Sequence, residues 1–195
     1  NAVWLSLSLA FAAYYSVLGW QQAFASPYVV QEDMRQHIFW LARYVDPTAF
    51  PDDLIADYFQ SVAPLGYGWL YQGLASLGIA PLLVAKILPA FLCVLTAYLG
   101  YSVSSKIFPV PLASFIASVT LSQSLWHSSE LASGTPRAFL YPLFFAFLLG
   151  VLTNKKSFVL VVLLLEALFY PHMSLISLGI LALQWVWPRG HFLRF

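Results

Sequence analysis

The sequence predicts an all-α fold: a polytopic integral membrane bundle with amphipathic surface helices in its first extracytoplasmic loop. Three observations carry this reading. Hydrophobic residues make up 61% of the 195 residues and charged ones 9%, where soluble domains hold about 25% charged residues. Uncharged apolar runs recur, several near the ~20 residues that cross a bilayer core. And six of the eight carboxylates, Glu32, Asp33, Asp46, Asp52, Asp53 and Asp57, fall in one stretch, residues 31–72. A loop this polar is too costly to bury in hydrocarbon, so it lies at the membrane surface. Loops on a rigid scaffold are also where binding and catalysis concentrate.

The net charge of +1 and the absence of a basic run give no reason to expect nucleic acid as a partner. Cys93 is the one cysteine, so an internal disulfide is impossible. The chain opens at Asn1 without a methionine and stops just after an apolar run, which predicts one module of a longer protein. The first apolar run is too long for a signal core and has no charge before it, so it is not a cleavable signal.

Residues 1–195 form a single transmembrane module on this reading. The first span, residues 2–25, is ended by Ser26-Pro27, because proline lacks an amide donor and disfavours helix before it. The acidic loop then occupies about 26–80. Within it, Glu32–Val45 predicts an amphipathic helix with Met34, Ile38, Leu41 and Val45 as its apolar stripe. Such a helix lies in the interface plane. Pro51-Asp52-Asp53 opens a second short helix, with acids where the helix dipole favours them. Pro64 opens a third, reaching Leu77, too short to span. Further spans follow at 81–105, 109–127 and 137–153. The last apolar run is too long for one helix and divides at Pro171-His172 into arms 158–170 and 172–187. A turn at that depth is tolerated only inside protein or beside a wet cavity.

Charge sets the orientation. With the acidic loop outside, Lys106, Lys155, Lys156, Arg189 and Arg194 all fall on the cytoplasmic side, as the positive-inside rule requires. The expected location is therefore the cell (inner or plasma) membrane, multi-pass, with the acidic loop extracytoplasmic. Arg35, Arg43 and Arg137 break the bias, and each needs a local partner.

Several residue groups bear on chemistry. Glu32-Asp33, directly after the first span, can hold a divalent cation (Mg or Mn) or act as general base toward a hydroxyl. The plainer reading is two solvated acids, one paired with Arg35 or Arg43. His37, one turn after Asp33, can orient it, although a lone histidine is more often interfacial. Asp52, Asp53 and Asp57 are well explained as helix-start acids. Tyr58, Phe59, Tyr67, Trp69 and Tyr71 can stack on a sugar or an isoprenoid chain, but an interface belt gives the same enrichment and is favoured. Lys86 can snorkel or pair with a carboxylate. Arg137 can clamp a phosphate or pair with Glu130. Glu166 is an intramembrane carboxylate, and His172 is its nearest visible partner. No Walker loop, GxGxxG, CxxC, zinc motif or Ser-His-Asp spacing is present.

Glu32-Asp33-Met34-Arg35, then Ala63-Pro64-Leu65-Gly66-Tyr67-Gly68-Trp69-Leu70, then Leu77-Gly78 with Ala85-Lys86-Ile87-Leu88-Pro89, agree in order and spacing with a known pattern. They resemble, over roughly residues 1–130, the GT-C class of membrane glycosyltransferases. The closest likeness is to the branch of protein O-mannosyltransferases and lipid A aminoarabinose transferases. The resemblance implies an all-helical enzyme that transfers a sugar from a polyprenyl-phosphate donor to an acceptor at the extracytoplasmic face. It implies Asp33 as catalytic base, with Glu32 beside it for metal or acceptor. Lys86 stands where arginine is usual. Val62-Ala63 replace the lysine that precedes the prolines in aminoarabinose transferases, which shifts the donor-phosphate contact toward Arg35, Lys86 or Arg137. On this reading His37, Trp69 and His172 complete the substrate-binding set. The expected function is glycosyl transfer; a transporter or a non-catalytic membrane scaffold are the alternatives. A transporter calls for broken helices in both halves of the chain, and only the last apolar run is broken.

Overall fold

The structure, a computed structural model, describes residues 2–27, 29, 32–127 and 133–186, and the backbone but not the side chain of Glu32. Glu130, Arg189, Arg194 and the end of the expected sixth span lie outside the described residues. The described residues are mostly helical, with no strand among them: α1 (Ala2–Ala23), α2 (Glu32–His37), α3 (Leu54–Val62), α4 (Leu65–Ser76), α5 (Pro81–Ile107), α6 (Pro111–His127), α7 (Leu140–Leu152), α8 (Lys156–Phe169) and α9 (Pro171–Val186). Two 3₁₀ segments, Phe39–Tyr44 and Pro136–Phe139, precede α3 and α7. Two helices, α1 and α5, are long and apolar enough to cross a membrane.

The small residues of α1, α5 and α6 decide how these helices meet. Ser8, Ala12 and Ser16 recur every four residues on α1, and Ser114, Ser118 and Ser122 do so on α6. Faces of small side chains let helix backbones approach closely, with hydroxyls bridging between them. Ser16 Oγ donates to the carbonyl of Ala90 at 3.2 Å, and Ser118 Oγ to that of Ala97 at 3.2 Å. Cys93 Sγ lies 3.9 Å from the Ala12 carbonyl. These contacts run α5 antiparallel to both neighbours, while the ring pairs Trp4–Phe115 and Tyr15–Trp126 set α1 and α6 parallel. α7 packs beside α5, and α8 and α9 continue up and down beyond it; Leu99, Ala146, Phe147, Val159 and Val162 form a second core.

Up-and-down threading puts the 26–80 segment, His127, Pro136–Phe139 and the α8–α9 break at one end of the bundle. Lys106 and the Lys155-Lys156 turn lie at the other. The break comes at Tyr170, which is extended before Pro171 because the proline ring disfavours helix there.

The 26–80 segment forms a layer docked on that first end. Met34, Ile38, Trp40, Leu41, Tyr67 and Tyr71 are buried with Val84, Ala85, Leu125, Ala138 and Phe139. The expected single helix Glu32–Val45 is instead a short α-helix followed by a 3₁₀ turn. The tighter turn carries Trp40 into the core and leaves Val45, expected on the apolar stripe, exposed. Its indole donates to the His37 carbonyl at 2.9 Å, which closes the change of pitch. α3 starts at Asp53, whose carboxylate accepts from the amides of Ile55 and Ala56 at 2.9 and 3.1 Å, an N-cap.

Candidate functional site

The loop acids divide by whether the fold already uses them. Asp53 is the N-cap of α3. Asp57 pairs with Arg43 at 2.7 Å, and the same guanidinium reaches Gln60 and the carbonyls of Ala49 and Phe50. Arg43 therefore ties the 3₁₀ turn to α3 rather than pairing with Asp33. Asp46 accepts from Thr48 through both its amide and its hydroxyl, at 2.9 and 2.7 Å, and these bonds hold its exposed carboxyl below the usual range. Asp33 is different. It is exposed on α2 just beyond the end of α1, with no hydrogen bond or ion pair to the described residues.

The other candidates do not converge on one pocket. Arg35 lines a shallow groove with Gln36, Phe39, Asp53, Ile55 and Phe59. His37 is exposed and sets its ring edge-on to Phe59, with centroids 4.9 Å apart. Trp69 is exposed on α4. Arg137 is exposed in the 3₁₀ turn before α7, and His172 is exposed beside Tyr170. Among the described residues no three of His, Cys, Asp and Glu gather as a metal-ligand set.

Glu166 corrects one expectation. It is fully buried on α8, and its partner is Ser177 of α9, whose Oγ donates to Oε1 at 3.1 Å, rather than His172. The antiparallel α8–α9 hairpin puts Ser177 opposite it, whereas His172 sits at the break and points its ring to Tyr170. The second carboxylate oxygen, Oε2, is buried without a partner.

Two aromatics also change role. Tyr67 and Tyr71, read as belt or stacking residues, are buried, with their hydroxyls donating to the one carbonyl of Gly134 at 3.0 and 2.7 Å. Burial pushes both phenols up, Tyr67 well above the usual tyrosine range. The Ser133–Pro136 turn, which reads in the sequence as a plain turn, is the post on which α4 is fastened.

Lys86 lines a deeper cavity than the groove beside Arg35. It lies in a cavity of about 330 Å³ between the loop-end halves of α1, α5 and α6, 8% exposed. No carboxylate is among the described residues that line it; Glu130 and the side chain of Glu32 lie outside them. Nζ is 3.4 Å from the Ser26 carbonyl and 5.3 Å from the Phe24 ring centre, a cation–π distance. The cavity exists because Gly19, Ala23, Pro89 and Ala90 are too small to fill the junction. Trp20 and His127 share its wall, although in the sequence they read only as an interface anchor and a polar helix exit. Their convergence with Lys86 has no local sequence signal beyond small residues one turn apart on facing helices. Compared with known proteins, the chain matches no family model, no curated protein and no solved structure.

Proposed function

We propose that this is a multi-pass membrane glycosyltransferase of GT-C type, transferring a sugar from a polyprenyl-phosphate donor to an acceptor at the extracytoplasmic face. The observation that carries the reading is Asp33: an exposed carboxylate on α2, the helix that follows the first membrane-length one, unused by the fold while Asp46, Asp53 and Asp57 are all committed to it. Such a group is open to an acceptor hydroxyl as general base, and with Glu32 it supplies the carboxylates that would hold a divalent cation. Membrane embedding is supported by the bundle's exterior. Val3, Phe91, Leu95, Ile116, Leu160, Leu164, Leu175 and Leu183 are all exposed, and apolar exteriors of this extent need a lipid or protein cover. Arg35, Arg137, Trp69, His37 and His172, exposed at the loop end, are the remaining donor and acceptor contacts on this reading.

The test is transfer from a panel of polyprenyl-phosphate-linked sugars by membranes carrying the full chain. Asp33→Asn keeps size and removes basicity, and a positioned base contributes about 10²–10⁴-fold. The expected result is loss of transfer on that scale with normal insertion, while Asp53→Asn retains most activity. Equal loss in both variants would remove Asp33 from the role of base. No transfer by the unaltered chain from any donor would count against the enzyme.

A further inference from the structure

We propose that Glu166 is a proton-binding latch on the α8–α9 hairpin: the two helices pack closed while its carboxyl carries a proton and part when the proton leaves. Glu166 and Ser177 face each other across the hairpin, both fully buried. Oε1 accepts from the Ser177 hydroxyl at 3.1 Å, and Oε2 is buried without a partner. An ionised carboxylate here would rest a full charge on one neutral hydrogen bond, the kind of burial that is most costly. A proton on Oε2 removes the charge and leaves the Ser177 bond intact. Helix α8 packs against α4, α7, α9 and the Pro136–Phe139 turn. The titratable and charged groups on those elements are Tyr67 and Tyr71, Tyr141, His172 and Arg137. None of them donates to either carboxyl oxygen: the Tyr67 and Tyr71 hydroxyls are engaged by Gly134, and the His172 ring lies against Tyr170 at the break.

The packing says which helix moves. Among the described residues, Ser177 to Glu166 is the one side-chain hydrogen bond that joins α8 to α9. Helix α9 fully buries only Met173 and Ser177, while Leu175, Ile176, Leu178 and Leu183 are exposed. Helix α8 is held more firmly: the Phe169 ring lies 4.6 Å from that of Phe139, and the Gly66 backbone lies against Leu168. A charge at Glu166 therefore acts on the more loosely held partner, hinged at the Tyr170-Pro171 break. As α9 parts from α8, water reaches Oε2 and takes the proton; on closing, the carboxylate takes it back. The closed hairpin binds the proton more tightly than the open one, so lower pH favours closing and higher pH favours opening. The latch stands apart from Asp33 and does not rest on the proposed transfer.

The experiment is amide hydrogen exchange of the full chain in lipid nanodiscs, read by mass spectrometry from mildly acidic to mildly alkaline pH, with exchange times scaled to the intrinsic chemical rate. Protection of residues 171–186 should fall as pH rises, by up to about tenfold per pH unit, the slope for release of one proton. Glu166→Gln keeps an acceptor for Ser177 and has no proton to release, so its protection should be flat across the range. Residues 81–107 of α5 should keep their protection in both proteins. The infrared spectrum of the unaltered chain at neutral pH should also carry a protonated-carboxyl band that Glu166→Gln lacks. A flat profile in the unaltered chain, an equal slope in Glu166→Gln, or no band lost in that variant overturns the proposal. If Glu166→Gln does not fold, Glu166→Met, apolar and of similar length, takes its place in both measurements. Each outcome is read without any sugar donor, so the latch and the enzyme reading stand or fall separately.

Discussion

Gly134 has no room for a side chain. A Cβ there would lie 2.5 Å from the Tyr71 hydroxyl and 2.6 Å from the Ala85 Cα, and the second of these is backbone that cannot swing aside. Overpacking of this kind costs about 1–3 kcal/mol. Gly134→Ala should therefore lower the thermal midpoint of the detergent-solubilised protein clearly. Tyr71→Phe, which leaves Tyr67 on the same carbonyl, should cost only about 0.5–1.5 kcal/mol; a larger loss for Tyr71→Phe than for Gly134→Ala would contradict the packing account. The two phenols also give a pH signature. Their folded pKa values lie above the unfolded value of about 10, because burial disfavours the phenolate. The stability they contribute is whole below that pH and is lost as pH rises further, since the unfolded chain releases those protons first. An ultraviolet tyrosine titration should show two groups that ionise only as the protein unfolds. Their titration with the exposed tyrosines, before unfolding, would contradict the burial. Neither role was readable beforehand: an aromatic pair four residues apart marks one helix face but not whether lipid or protein covers it.

Helices were more legible than their neighbours. Proline placement and the apolar runs were enough to locate α1, α5, α6 and the break at Pro171, because those signals are local to each segment. The start of α3 was nearly so: acids after Pro51 marked a helix start, and Asp53 is the residue that caps it. Asp53→Ala should cost about 0.5–2 kcal/mol. Asp52→Ala lacks a cap bond to lose, although Asp52 sits at φ 56°, where most side chains are strained. Thermal unfolding of the two variants checks this; an Asp53→Ala variant as stable as the unaltered chain would move the cap elsewhere. The stretch after Asp33 was less legible. Helical spacing of Met34, Ile38 and Leu41 predicted one continuous helix, but the chain tightens into a 3₁₀ turn at Phe39 so that Trp40 enters the core beside Tyr44. Tertiary packing, not local propensity, decides that change. Lys86 shows the same limit at the candidate site: the residue was singled out from its apolar setting, while Trp20 and His127, which share its cavity, come from other helices.

At the scale of the whole molecule, the loop acids lie at one end and Lys106, Lys155 and Lys156 at the other. The up-and-down course of α1, α5, α6, α7 and α8 carries Asp33, Asp53 and the Lys86 cavity to one end, and Lys106, Lys155 and Lys156 to the other. The proposed reaction and the multi-pass reading both depend on this axis being normal to a membrane, with Lys106, Lys155 and Lys156 inward. Cysteines placed singly at Asp53 and Lys156, in a Cys93→Ala background, measure it directly in intact cells with a membrane-impermeant thiol reagent. The account predicts that the cysteine at 53 is labelled in intact cells and the one at 156 only after permeabilisation. Labelling of 156 but not 53 would contradict the orientation, and labelling of both alike would contradict the membrane bundle.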